Sequence, residues 1–347
     1  MLANPLSLSL HEWGQQMQRG QLKRREFIAL LGGVAVTWPL AARAQQQAMP
    51  VIGFLSALSQ TQAAHLVAAF RRGLSETGFT EGSNILVEYR FAEGQYQRLP
   101  AMAAELVRHP VTLILAQAPP AALAAKAATA TIPIVFVVGF DPVGAGLVTS
   151  LNHPGGNATG MTLISFVLGQ RRLEMLRDIS PKASVIGMLA NPLSPDAIPE
   201  IGSVQTGAQS LGLQLTMFNA STASDLEVAF ASMPAQKVDA LIVGTDPFFT
   251  TQRADIVAQA ARLKIPAIYP FREFAAEGGL ISYGTNIAGS HRQAGIYAGR
   301  ILKGVKPADL PVMQPTTFEL VINLKTAKAL GFDIPPTLHA RSDEVIE

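Results

Sequence analysis

The chain has 347 residues, 48% of them apolar and 15% charged, with a formal net charge of +2 and no cysteine. That composition supports a large buried core, and it excludes a disulfide framework, a thiol nucleophile and a thiolate-bound metal. The near-neutral balance offers no basic face for nucleic acid.

The first informative segment is an address. Lys23-Arg24-Arg25 precedes Phe27 and an apolar run to Leu40, and Ala42 and Ala44 hold the small-residue positions of an A-x-A cleavage site. This order predicts residues 1–44 to be an N-terminal extension plus a twin-arginine signal, exporting the rest to the periplasm. Met17 stands close enough to Arg24 to be the true start, so residues 1–16 are set aside. The apolar run is shorter than the ~20 residues of a membrane span.

Residues 45–347 exceed a typical single domain and favour two lobes. The pattern predicts strands at Val51–Leu55, Ile85–Tyr89, Leu113–Ala116 and Ile134–Val138, and helices at His65–Thr77, Leu99–Arg108 and Pro120–Ala130. Such βα alternation with continuously apolar strands signals a parallel sheet covered on both faces. The turn-rich stretch from Leu151 to Asn157 reads as a connection. Alternation then resumes. Helices are expected at Gly169–Ile179, Ile198–Leu211, Ser224–Ala235 (N-cap Ser224) and Thr251–Leu263. Strands are expected at Val185–Leu189, Leu213–Phe218, Ala240–Val243 and Ala267–Tyr269.

The halves resemble each other. Val51-Ile52-Gly53-Phe54-Leu55 matches Val185-Ile186-Gly187-Met188-Leu189, Leu113-Ile114-Leu115 matches Leu241-Ile242-Val243, and Ile132-Pro133 matches Ile265-Pro266, at offsets of 134, 128 and 133. Two similar α/β lobes with parallel, doubly wound sheets follow, and ligands of such sheets sit at the carboxyl ends of the strands. A strand at Ile281–Thr285, a helix at Gly289–Lys303, a connection at Pro307–Pro315 and a helix at Lys325–Leu330 exceed what the second lobe requires. They fit a chain that crosses back. Lobe 1 is expected to hold 45–156 plus about 284–310, and lobe 2 to hold 157–283 plus about 311–347.

Several strings together are specific: Ile52–Leu55, Asp141-Pro142-Val143-Gly144, the run from Asn152 to Gly160, Ser282-Tyr283-Gly284-Thr285-Asn286, and the tail from Phe318 to Ala327. On these the chain resembles the substrate-binding components of ABC transporters, in the family related to tryptophan- and tyrosine-binding proteins. The resemblance implies a type I periplasmic binding-protein fold: two Rossmann-like lobes, crossing strands as a hinge, and a ligand trapped by closure. It implies an ABC permease and its ATPase as partners, no cofactor and a monomer. It also tilts the ligand toward aromatic or other hydrophobic amino acids.

An enzyme would need a catalytic constellation, and the sequence has no G-x-S-x-G elbow, H-E-x-x-H or Walker loop. Its six histidines are scattered without metal-ligand spacing, and His65 and His109 read as helix-surface or loop residues. Gly155-Gly156 lacks dinucleotide-binding context. Asn157-Ala158-Thr159 matches a glycosylation acceptor by chance.

Binding candidates come from predicted strand ends: Ser56, Gln117, Ala118 and Asp141 in the first lobe, Asn191, Asp246 and Tyr269 in the second. Asp141 and Asp246 each precede proline after a strand; either serves a ligand ammonium or merely starts a turn. The helix opening at Pro119-Pro120 offers its N-terminus to a ligand carboxylate, with Gln117 and Ala118 at its entrance. Thr162 adds a hydroxyl, as does Ser165. Tyr269 is expected to expose its ring at the mouth. Two other readings stay open: a sensing module reporting to a membrane receptor, which a neighbouring permease gene would argue against, and an exported hydrolase, which would require turnover.

Overall fold

The computed structural model describes residues 49–347; the twin-arginine segment, its cleavage site and Met17 lie outside the described residues. The first lobe alternates β1 (Val51–Ser56), α1 (Gln60–Glu76), β2 (Leu86–Phe91), α2 (Leu99–Arg108), β3 (Leu113–Gln117), α3 (Pro119–Ala128), β4 (Ile134–Val138) and β5 (Ala158–Thr162). Its sheet is parallel throughout, in the order β2-β1-β3-β4-β5. β3 and β4 are buried along their whole length, as continuous apolar runs between two helical layers should be. β5 corrects the expected boundary at residue 156, because it pairs with β4 and extends the first sheet.

The second lobe runs through α4 (Gly169–Ile179), β6 (Val185–Ala190), α5 (Ala197–Leu211), β7 (Gln214–Asn219), α6 (Ala223–Ser232), β8 (Ala240–Val243), α7 (Pro247–Thr251), α8 (Arg253–Arg262), β9 (Ala267–Tyr269), α9 (Arg272–Ala276) and β10 (Ile281–Gly284). The chain then returns as α10 (Ile287–Leu302) and finishes with β11 (Glu319–Asn323), α11 (Leu324–Leu330), α12 (Pro336–His339) and β12 (Glu344–Ile346). The second sheet is ordered β12-β11-β10-β9-β8-β6-β7. From its far edge the order 7-6-8-9-10 repeats the 2-1-3-4-5 of the first sheet, as the internal sequence matches predict. One pair departs from the expected parallel sheet: β11 runs antiparallel to β10, because the chain re-enters this lobe after an excursion through the first.

That excursion is α10, which lies on α1 in backbone contact. A Cβ on Gly73 would fall 1.8 Å from the Arg292 carbonyl oxygen, and one on Gly295 would fall 2.2 Å from that of Phe70. Only glycine permits this approach. One local expectation is corrected. Thr222, not Ser224, caps α6, because Thr222 and Asp225 complete a capping box. The helix expected over Thr251–Leu263 forms as α8, and the short α7, capped by Asp246 through the Phe248 N–H, precedes it.

Three segments cross between the lobes: after β5, between β10 and α10, and before β11. They are stitched together. Thr162 N–H donates to the Met313 carbonyl and Met313 N–H to that of Gly160, both at 2.9 Å, while Thr285 Oγ1 donates to the Leu163 carbonyl at 3.0 Å. Each sheet has an apolar core of its own on one face. The largest apolar cluster runs from Phe54 and Leu66 of the first lobe to Phe249 and Phe274 of the second. No helix among the described residues is long and apolar enough to cross a membrane.

Candidate functional site

The strand ends of the two sheets face each other, and the lobes touch there. Tyr96, in the turn after β2, lies with its hydroxyl 2.8 Å from both Asp246 carboxylate oxygens and accepts from the Phe248 N–H at 3.1 Å. His65 of α1 meets Glu273 of α9 at 3.0 Å, and Gln62 donates to the Thr251 carbonyl at 3.4 Å. Burial raises the Glu273 carboxyl, but its hydrogen bond to His65 and the nearby Arg253 outweigh that and hold it below the usual range. These contacts describe a closed cleft.

Inside the closure is a cavity of about 40 Å³, on the order of a few water molecules. Any ligand larger than that enters only when the lobes part. Its walls are apolar, with Leu58, Leu66 and Val137 from the first lobe, Ile287 from α10, and Leu163 and Phe271 from the crossing and the second lobe. Gln117, Asp196, Thr245 and His291 supply polar groups. This balance of mostly apolar lining and few placed polar groups is that of a small-molecule site.

Asp196 is the unusual member. It precedes α5, is 1% exposed, and makes no capping bond to that helix. Its Oδ1 is buried without a partner, and its Oδ2 faces Gly139 so closely that a Cβ there would approach to 2.6 Å. Burial, followed by the charges of Glu200 and Asp246, pushes this carboxyl well above its ordinary value of 3.8. An acceptor of this kind calls for a cationic donor.

Beneath it lies a buried ion pair. Arg172 of α4 and Glu200 of α5, 0% and 2% exposed, meet at 2.5 Å. Glu200 also accepts from Thr245 N–H at 2.7 Å and Thr245 Oγ1 at 3.0 Å, so the pair fixes the residue that lines the cavity. Burial pulls the Arg172 guanidinium below its usual range, and Glu200 opposes this.

The eight residues expected at the site divide. Gln117 and Ala118 line the cavity. Ala118 holds φ 77 and ψ 156, a region almost confined to glycine, and its strain marks the turn from β3 into α3. Ser56 stands behind, donating to Gln117 Oε1 at 2.7 Å and so orienting that amide. Asn191 donates to Asp246 Oδ1 at 3.0 Å. Asp246 is occupied by Asn191, Tyr96 and the Phe248 N–H; burial nevertheless raises it from 3.8 to about 6. It is therefore a clasp between the lobes and the cap of α7.

The other three lie elsewhere. Asp141 is exposed and accepts from the Val143 N–H at 2.9 Å, the turn alternative. Thr162 donates to the Phe140 carbonyl at 3.0 Å within the crossing. Tyr269 corrects the expectation of a ring at the mouth: it is 1% exposed and stacks on Phe274 with centroids 5.0 Å apart. Phe271, two residues on, lines the cavity in its place. The α3 terminus is also poorer than expected, because Pro119 and Pro120 carry no N–H and remove two donors from its first turn.

Asp196, Tyr96, Phe271 and His291 escaped the sequence reading. Asp196 had a signal, an acidic residue in the Asn191-Pro192-Leu193-Ser194-Pro195 turn after β6. The others had none beyond residue type.

The family model for ABC transporter substrate binding protein matches residues 51–346. A tyrosine-binding protein of Clostridioides difficile is 30% identical over 261 residues, covering 75% of each chain. A Streptococcus pneumoniae ABC domain solved with L-Trp superposes with a TM-score of 0.79 at 26% identity, covering 86% of this chain and all of that one. A ligand-free, open substrate-binding protein of Clostridium difficile, 27% identical and covering 86% of this chain and 99% of its own, reaches only 0.62. At nearly the same identity the chain thus superposes more closely on the L-Trp-bound structure than on the open one. The chain folds as a type I periplasmic binding protein and belongs to the ABC transporter substrate-binding family.

Proposed function

We propose that this protein is the exported solute receptor of an ABC importer and that its ligand is an amino acid with an aromatic side chain. The observation that carries the ligand class is Asp196, a buried carboxyl group whose Oδ1 has no partner, at the edge of an apolar cavity. An ammonium group satisfies it, and Phe271, Leu66 and Ile287 then enclose an apolar side chain. Gln117, Thr245, Thr250 and His291 are the remaining polar side chains of the lining. The tyrosine-binding relative and the L-Trp-bound structure support the same class.

In this reading the protein acts as a freely diffusing monomer in the periplasm, delivered by the twin-arginine segment. Opening of the cleft admits the ligand, and closure through Tyr96–Asp246 and His65–Glu273 presents a surface to a permease whose ATPase drives uptake. Isothermal titration with tryptophan, tyrosine and phenylalanine, and with their deaminated analogues, tests it. The amino acids are expected to bind and indole-3-propionate and 3-phenylpropionate to give no heat. Equal binding of the deaminated compounds would remove Asp196 from the argument, and binding of none of the amino acids would remove the ligand class.

A further inference from the structure

Two side chains that line the cavity carry a buried polar atom with no partner, Asp196 from the second lobe and His291 from α10. They occupy different charge environments. The groups acting on Asp196 are Glu200 and Asp246, whereas those acting on His291 are His65 and Glu273. Apolar wall from Leu66, Leu163, Phe271 and Ile287 accompanies them. The cavity thus has two unmatched polar groups in an apolar lining, and the ammonium reading accounts for only one.

The state of the second group follows from its bonding. His291 is 1% exposed, and its Nδ1 lies 2.7 Å from the Ile287 carbonyl one helical turn back. A carbonyl can only accept, so Nδ1 carries the proton. Burial holds the ring neutral, lowering it from 6.5 to about 4. Nε2 is therefore a bare lone pair at the ring tip, on the side away from its own helix. A buried acceptor left unmatched is costly, so a ligand that fills this cavity gains by bringing a donor.

We propose that His291 reads the ligand's side chain: its Nε2 accepts a hydrogen bond from an N–H or O–H on the aromatic ring, favouring an indole or a phenol over an unsubstituted phenyl. The inference rests on the amino-acid reading above and adds the specificity of the same site. Isothermal titration of the wild type and of His291→Phe with tryptophan, tyrosine and phenylalanine tests it. In the wild type, the tighter of tryptophan and tyrosine should exceed phenylalanine by about tenfold or more, the scale set by an unmatched buried acceptor. His291→Phe should weaken the donor-bearing ligand, spare phenylalanine and bring the ratio near one. His291→Gln, whose amide oxygen can accept, should restore part of the preference and controls for folding. Phenylalanine binding the wild type as tightly as both others, or a preference unchanged in His291→Phe, would overturn the proposal while leaving the amino-acid reading intact. Failure of all three ligands on the wild type would overturn both.

Discussion

Asp196→Asn separates what the site does for binding from what it costs the fold. The substitution keeps the shape of a side chain that makes no hydrogen bond and removes its ionisable group. An unpartnered buried polar group costs about 1–3 kcal/mol, and more when charged. The neutral amide should therefore stabilise the unliganded protein by about 1–2 kcal/mol at pH 7, a rise of a few degrees in melting temperature. The same change should weaken amino-acid binding about 100-fold or more, since removing one partner of a buried charge pair costs about 2–5 kcal/mol. Urea denaturation without ligand and titration calorimetry with ligand measure the two effects. Burial raises this carboxyl and a bound ammonium would lower it again, so affinity should climb as pH rises above the ordinary 3.8. A variant that is less stable without ligand, or that binds as the wild type does, would refute the reasoning.

Further outcomes are expected. His291, lowered from 6.5 to about 4, contributes about 3 kcal/mol that is lost as pH falls through that window; Asp246, raised from 3.8 to about 6, gains a similar amount as pH falls from 6. The two oppose each other, so His291→Phe should show a melting temperature that rises between pH 6.5 and 5, and a fall there would contradict the assignment. Tyr96→Phe removes the donor shared by the Asp246 oxygens while Asn191 and Phe248 still satisfy that carboxylate. Ligand affinity should drop about tenfold, from the ~1.5–3 kcal/mol of a hydrogen bond to a charged group, with the scattering radius of the free protein increased. An unchanged radius and affinity would mean that the clasp contributes nothing to closure. Arg172→Met should destabilise by about 3–5 kcal/mol by stranding Glu200, and Arg172→Met/Glu200→Met should recover most of it. Equal losses in single and double variants, read from urea midpoints, would count against the pair as a unit.

The architecture was legible because its signal is repetition. Val51–Leu55 and Val185–Leu189 mark the same strand in the two halves, and apolar runs between Ala-rich helices admit little besides covered parallel strands. β5, β11 and β12 were not, because Ala158–Thr162 is small and polar and the last two strands draw their partners from distant segments. At the site, the strand-end rule located Gln117 and Ala118 and brought Asn191 and Asp246 into one network. It could not say which carboxylate is free. Asp246 and Asp196 both follow a strand, and only the approach of Tyr96 from 150 residues away, closing on one of them, decides. Tyr269 failed for a similar reason: the ring of Phe274 lies parallel to it and covers the face that a proline turn was expected to expose.

The three stitched crossings change what the inter-lobe contacts have to achieve. Two separate proteins meeting over Tyr96–Asp246 and His65–Glu273 would lose about 4–15 kcal/mol of translational and rotational freedom, far more than one hydroxyl and one histidine bond return. With the jaws tied at Leu163, Thr285 and Met313, that loss is already met when the chain folds, and each partner sees the other at an effective concentration near the millimolar range or above. Weak contacts are then enough to close the cleft, and weak contacts are also easily reopened, so the turnover of the receptor is set by its hinge as much as by its grip.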